Sequence, residues 1–272
     1  MIRNPSHAGT FYPRFAEQVK RQIEQWLVSA APPSLNERSL GIILPHAGYM
    51  YSGQCAALGL DSVKHENIDS IIILHPCHSA NHFDFSLSPY TEYENPLGIL
   101  KLDRTLYDKL SPYADQGISL TYHQNEHSLE IQLPLISYFF PQATVLPIMI
   151  GNQIPAVSQR LAGLLLDTIY KSAQRILILC STDLSHYHSA QLAEELDGEF
   201  ISQLSTLAPE ELWRSVRKGQ CEACGIGGIL TLMEIAKKYT NPRVKVIQYT
   251  HSGRVSGNNQ QVVGYLAAKI YV

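Results

Sequence analysis

Short apolar runs alternate with longer amphipathic stretches along this chain. Residues 40–44, 70–74, 144–150 and 175–180 are continuous runs rich in Ile, Leu and Val. Runs of this length, bounded by polar or proline-containing segments, read as strands buried on both faces. Residues 15–30 instead place Val19, Ile23, Trp26 and Leu27 on one helical face, and Ala31-Pro-Pro-Ser34 ends that helix. Further helices are predicted over 53–63, 155–172, 189–204 and 209–218, the last with Pro209 in its first turn. Another follows the Gly-rich stretch 225–228 and runs to 238. The strand–helix–strand order from 40 to 74 predicts a βαβ unit with parallel strands and a right-handed crossover. Residues 126–140 are helical in pattern, with a break expected at Pro134. Residues 84–88 alternate polar and apolar and predict an exposed strand paired with 98–102. Asp103 then caps a helix reaching 110. Two final strands are expected at 243–250 and 261–272, joined by a polar, Gly-rich loop at 249–261. The fold class is therefore α/β, a central mixed, largely parallel sheet flanked by helices. With no repeat, low-complexity tract or linker, residues 1–272 read as a single domain.

Three of the strands end by delivering a histidine. The first runs into Pro45-His46-Ala-Gly-Tyr49, the second into His75-Pro-Cys-His78, and the third into Ser181-Thr-Asp183-Leu-Ser-His186. Open α/β sheets bind ligands just beyond the carboxyl ends of their strands. Imidazoles aimed at one sheet edge point to a metal or catalytic pocket. His46 and His78 are the leading ligand candidates, and His46 is also readable as a strand-end histidine bonded to a loop. His75, immediately after its strand, ranks lower as a satisfied structural histidine, and Cys77, next to His78, reads as a packing residue. Asp183 and His186, three apart, share a face if their segment is a helical turn. They would then form ligands, an acid–base couple, or a capped turn in which Asp183 is the N-cap.

Cys221-Glu-Ala-Cys224 is a lone CxxC, weak evidence for zinc or redox chemistry. Cys224 differs because it opens the Gly-rich start of a helix, where the helix terminus favours thiolate. The plain alternative is a small buried residue beside a tight turn. In Glu126-His127-Ser-Leu-Glu130, His127 and Glu130 share a helical face and are pocket candidates, against a solvated helix start. His7, Tyr49 and His251 complete the pocket candidates.

Composition narrows the function classes. The 272 residues are 45% hydrophobic and 17% charged, with a net charge of −3. That balance gives no electrostatic case for nucleic acid or a membrane surface. No apolar run approaches the roughly 18 residues that span a bilayer, and the amino terminus lacks a secretory pattern. Five cysteines, an odd number, argue against a disulfide framework. The expectation is a cytoplasmic protein acting on a small-molecule or peptide ligand.

Taken in order, Ser6-His-Ala-Gly-Thr-Phe-Tyr12, Pro45-His-Ala-Gly-Tyr49, Pro76-Cys-His78, Glu126-His-Ser-Leu-Glu130, Ser181-Thr-Asp-Leu-Ser-His-Tyr187 and Cys224-Gly225 resemble the Memo family, the B component of the AmmeMemoRadiSam group. The resemblance runs nearly the whole chain. It implies a fold similar to the class III extradiol dioxygenases and a metal held by His46, His78 and Cys224. It further implies that His186 is the acid–base group and that Asp183 orients it. Animal members of the family are described as phosphotyrosine-peptide binders and as iron- or copper-handling redox proteins. The family's second motif often reads Gly-Pro-Ser-His-His, whereas this chain has His75-Pro-Cys77-His78-Ser79, which alters the pocket beside His78. Two imidazoles and a thiolate suit a transition metal, Fe(II) first and Cu or Zn next, rather than Mg or Ca. The function expected is a metal-dependent, dioxygenase-like oxidoreductase. The alternatives are a non-catalytic module for a phosphorylated or acidic ligand, and a zinc-dependent hydrolase.

Overall fold

The computed structural model describes residues 1–28 and 37–272. The chain order is β1 (Ile2–Arg3), α1 (Ala16–Leu27), β2 (Ser39–Leu44), α2 (Gln54–Asp61), β3 (Ser70–Pro76), β4 (Phe85–Leu87), β5 (Glu92–Asn95), β6 (Gly98–Lys101), α3 (Arg104–Leu110), α4 (Leu120–Asn125), α5 (His127–Glu130), α6 (Gln132–Phe139), β7 (Thr144–Ile150), α7 (Pro155–Tyr170), β8 (Ile176–Ser181), β9 (His186–His188), α8 (Ala190–Ser205), α9 (Pro209–Arg217), α10 (Ile226–Ala236), β10 (Arg243–His251), α11 (Gly253–Ser256) and β11 (Val262–Tyr271). The expected Ala31-Pro-Pro-Ser34 helix stop lies outside the described residues.

The main sheet runs β10-β11-β2-β8-β3-β7-β4, with β9 pairing to β11. Its four central strands are mutually parallel, and the flanking pairs are antiparallel. The sheet is thus mixed, with a parallel centre. β2 and β3 are parallel as expected, but β8 lies between them. Every residue of β2, β3 and β8 is buried, which explains their unbroken apolar runs. A Cβ on Gly41 of β2 would strike Leu232 of α10, whereas Leu44 of the same strand abuts Gly59 of α2. Positions three apart face opposite sides of a strand, so α10 and α2 cover opposite faces.

Pro134 acts as expected. α5 ends at Glu130 and α6 begins at Gln132, because a proline ring clashes with the carbonyl four residues earlier, here that of Glu130. Residues 84–88 differ from expectation. β4 is buried and pairs with β7, not with β6. Its alternating Ser86 is covered by α4, where the His123 ring lies 3.1 Å from the Ser86 hydroxyl. β6 instead pairs with β5, which pairs with β1 in a separate three-stranded sheet. β10 reaches His251, so the predicted 249–261 loop is shortened to α11 and the turns around it.

The parallel centre brings the carboxyl ends of β2, β8 and β3 side by side. There the chain leaves the sheet through Pro45-His46, Thr182-Asp183 and Cys77-His78. No helix among the described residues is long and apolar enough to cross a membrane.

Candidate metal centre

At that edge, ligand atoms of His46, His78 and Cys224 all lie within 4.8 Å of one another. The three residues sit on separate loops, and each is fixed by neighbours that determine which atom faces the others.

His46 follows β2 and is buried. Its backbone N–H donates to Asp183 Oδ1 at 2.7 Å. Its Nδ1 is 2.9 Å from Ser181 Oγ. That hydroxyl already donates to Ser128 O at 2.7 Å and accepts from Gln132 Nε2 at 3.0 Å. The serine's single hydrogen is therefore committed, and Nδ1–H of His46 must donate to it. The tautomer leaves the Nε2 lone pair aimed at Cys224 Sγ, 3.2 Å away. Burial, reinforced by the imidazoles of His127 and His78, holds His46 neutral with a pKa well below the usual range.

His78 is held by Glu126. The carboxylate accepts the His78 backbone N–H at 2.8 Å and the Nδ1–H at 2.8 Å, leaving Nε2 toward His46. This carboxylate–histidine arrangement fixes ring orientation and raises ligand basicity. Burial alone would lower the His78 pKa, but the bonded Glu126 outweighs it and the net shift is upward. Burial works the other way on Glu126, yet His78 holds its carboxyl well below the usual range. With its Nδ1–H committed to Glu126, the neutral ring has its Nε2 lone pair free for a cation.

Cys224 arrives from the loop before α10. Gly225 makes its position possible, since a Cβ there would lie 2.3 Å from Ser181 O and 2.8 Å from Thr182 Cβ. The Cys224 sulfur accepts the Asp183 backbone N–H at 3.2 Å. The expected lowering of its pKa by the helix terminus does not occur. Burial and then the Asp183 carboxylate push the thiol above its usual value, against two weaker hydrogen bonds. A bound cation would reverse this, because a coordinating thiol is deprotonated outright. The donor set of two imidazole nitrogens and one sulfur fits a soft or borderline transition metal.

Asp183 and His186 are brought to the same edge but not to each other. Their segment is not helical, with residues 182–185 outside any helix or strand and His186 opening β9, so the three-residue spacing does not put both on one helical face. The Asp183 carboxylate grips the His46 backbone, and burial lifts its pKa to about 7. The ring of His186 bonds Leu184 O through Nδ1 at 2.7 Å. A carbonyl only accepts, so Nδ1 carries the proton and Nε2 is left as the basic atom. The orienting group is this carbonyl, not Asp183.

His127 stacks on His78 at 4.6 Å and lies edge-on to His46 at 5.3 Å. Burial lowers its pKa to about 4. With His78 and Glu126 it forms a second close set of ligand atoms. His7 lies beyond it, its ring 6.0 Å from that of His127. Glu130 turns away, accepting from Arg3 Nη1 at 2.7 Å, Ser6 N–H at 3.0 Å, His7 N–H at 2.7 Å and Tyr12 OH at 2.8 Å. It anchors the amino-terminal segment. Tyr49 is a core residue, packed by Tyr12 and Trp26 with its hydroxyl on Ile131 O. His251 is buried at the end of β10, its Nε2 3.5 Å from a Glu194 carboxylate oxygen. His75 lies within β3, buried, bonded to Ser128, and held down to about 3 by burial. Cys221 joins no close ligand set among the described residues.

Sequence reasoning left Glu126, Ser181, Gln132 and Glu222 without roles. Glu126 was visible only as the residue before His127, with its partner 48 positions away. Glu222 lies inside the CxxC, where its carboxylate meets His188 Nε2 at 2.9 Å and the His186 N–H at 3.2 Å.

The family described as Memo-like protein matches residues 3–269. A MEMO1 family protein of Sulfurisphaera tokodaii is 34% identical over 99% of each chain. Those of Methanosarcina barkeri and Thermotoga maritima are 32% and 31% identical, over 98% and 100% of each chain.

Proposed function

Starting from the fact that the chain belongs to the Memo family, we propose that it is a metal-dependent oxidoreductase, with His46, His78 and Cys224 holding one transition-metal ion, Fe(II) by first choice. The reading is carried by three donor atoms, from three loops, converging within 4.8 Å. The two fixed tautomers support it further, since hydrogen bonds to Ser181 and Glu126 turn both Nε2 atoms inward. When bound, such an ion supplies open positions for activating dioxygen or an aromatic diol.

The remaining work falls to this chain's own groups. His186 Nε2 accepts a proton from a bound hydroxyl and returns it, a general acid–base role. Leu184 O holds that ring in the required tautomer. Glu126 keeps His78 basic. Asp183 fixes the His46 loop through the backbone and presents its N–H to Cys224, coupling two ligand loops.

The test begins with protein prepared without oxygen and its metal content. The parent is expected to carry a transition metal near one per chain. His46→Ala, His78→Ala and Cys224→Ala are each expected to lose it. Metal retained in full by all three variants contradicts the ligand assignment. Iron-loaded parent that consumes no oxygen with any catechol contradicts the oxidoreductase reading while leaving the ligands standing.

A further inference from the structure

A cavity of about 400 Å³ opens beside the metal-ligand cluster, lined by Leu184, His186, Val216, Gly219, Cys221, Glu222, Ala223 and Cys224. Its size is that of a small-molecule site. Its walls bring together three things. Val216 and Ala223, both half-buried, supply apolar surface. His186 supplies the Nε2 lone pair left by its bond to Leu184 O. Glu222 supplies a carboxylate, and no lysine or arginine lines the cavity.

Glu222 has hydrogen-bonding capacity to spare. One oxygen accepts from His188 Nε2 and the other from the His186 N–H, whereas an ionised carboxylate offers about four acceptor sites. Both fixed contacts come from β9, so the carboxylate is oriented before any ligand arrives. An anion entering here would meet acceptors and apolar surface, with Arg, the usual bidentate partner of phosphate, missing from the wall. A ligand with an apolar body and a protonated amine or hydroxyl would find an acceptor at one end.

We propose that this cavity is a binding site for small neutral or cationic ligands with an apolar body, that Glu222 is its specificity-determining residue, and that it discriminates against phosphorylated and carboxylated ligands. The inference rests on the metal-site reading only for the claim that such a ligand is the substrate. The binding preference stands on the cavity alone.

Benzylamine, benzyl alcohol and benzoate share one apolar body and differ in the group offered to Glu222. Each is titrated by ligand-observed NMR into the full chain, both metal-free and zinc-loaded, with inorganic phosphate as a fourth probe. Benzylamine is expected to bind at least about tenfold more tightly than benzoate, with benzyl alcohol between them and phosphate weakest. Glu222→Gln should reduce the amine–carboxylate ratio to about threefold or less, in both metal states. Val216→Trp, which fills the cavity and retains Glu222, should abolish binding of all three aromatic probes. Benzoate or phosphate binding as tightly as benzylamine overturns the proposal. So does an amine preference that survives Glu222→Gln, or benzylamine failing to bind metal-free protein. Metal content is measured on the same samples. A parent that takes up no zinc but keeps the Glu222-dependent preference refutes the metal reading alone, and one that takes up zinc without that preference refutes this inference alone.

Discussion

The two ends of the parallel strands in the sheet centre are built from the same buried backbone and differ in how their polar groups are satisfied. At the amino ends, charges close on one another. Glu66 accepts the Ser39 N–H at 3.1 Å and is paired with Arg175, whose guanidinium also donates to Ser39 O and Ile176 O. Asp69 accepts the Arg175 N–H at 2.7 Å. At the carboxyl ends, bonds to surrounding groups are used instead to turn atoms of His46, His78 and Cys224 toward a common point. The first arrangement ties strands together. The second leaves ligand atoms of three residues within 4.8 Å of one another. A buried polar cluster therefore signals function by the direction of its remaining lone pairs, not by its polarity.

The sharpest way to break this contrast is to disturb each end separately. Arg175→Met leaves Glu66 largely buried without its cation, and loss of one partner from such a pair costs about 3 kcal/mol. Chemical denaturation should show that loss while metal affinity stays at the parent value. A matching fall in metal affinity would mean the two ends are not independent. Glu126→Gln tests the other end. It removes the carboxylate that holds His78, and disruption of such an orienting group costs about 10–100-fold in metal affinity, read by competition with a chelator. Retained affinity would show that His78 needs no orienting partner.

A smaller effect is expected from Gly225→Ala. The added Cβ collides with Ser181 O, and overpacking of this kind costs about 1–3 kcal/mol. Metal affinity should fall although all three ligand residues remain. Unchanged affinity would show that the Cys224 loop tolerates displacement.

The last contrast is pH dependence in metal-free protein. Burial lowers the pKa of His75 to about 3 and those of His123 and His127 to about 4. Groups with depressed pKa stabilise the fold above their unfolded value near 6.5 and lose that contribution as pH falls toward the folded value. Asp183 has the opposite sign. Raised to about 7, it stabilises most below its unfolded value near 3.9 and loses that contribution as pH rises to about 7. Denaturation at pH 4 and 7 should show the histidines dominating, with lower stability at pH 4. Replacing Asp183 by Asn should remove the opposing trend and steepen the decline.

Much of the site was legible because buried parallel strands are short, apolar and followed at once by the residues they present. His46, His78 and His186 could be placed at one edge from that pattern. The partners of these residues were not legible, because hydrogen bonds between loops carry no local period. Glu126 and Glu130 stand four residues apart with the same apparent helical setting. One orients His78 and the other anchors Arg3, 127 positions away. The Asp183–His186 spacing misled for a related reason. A spacing of three shares a face only in a helix, and here residues 182–185 form none while His186 opens β9, which pairs with β11. The alternation at 84–88 failed because α4, unforeseen in the sequence, buries the polar face of β4.

The central claim is that one ion bonds the Cys224 sulfur and both Nε2 atoms together. Cobalt(II) titration followed by absorption spectroscopy tests it most directly. A thiolate-to-cobalt charge-transfer band should rise to saturation at one ion per chain, vanish in Cys224→Ser, and lose intensity or shift in His46→Ala and His78→Ala. Full cobalt binding without that band, or an unchanged band in Cys224→Ser, would contradict it.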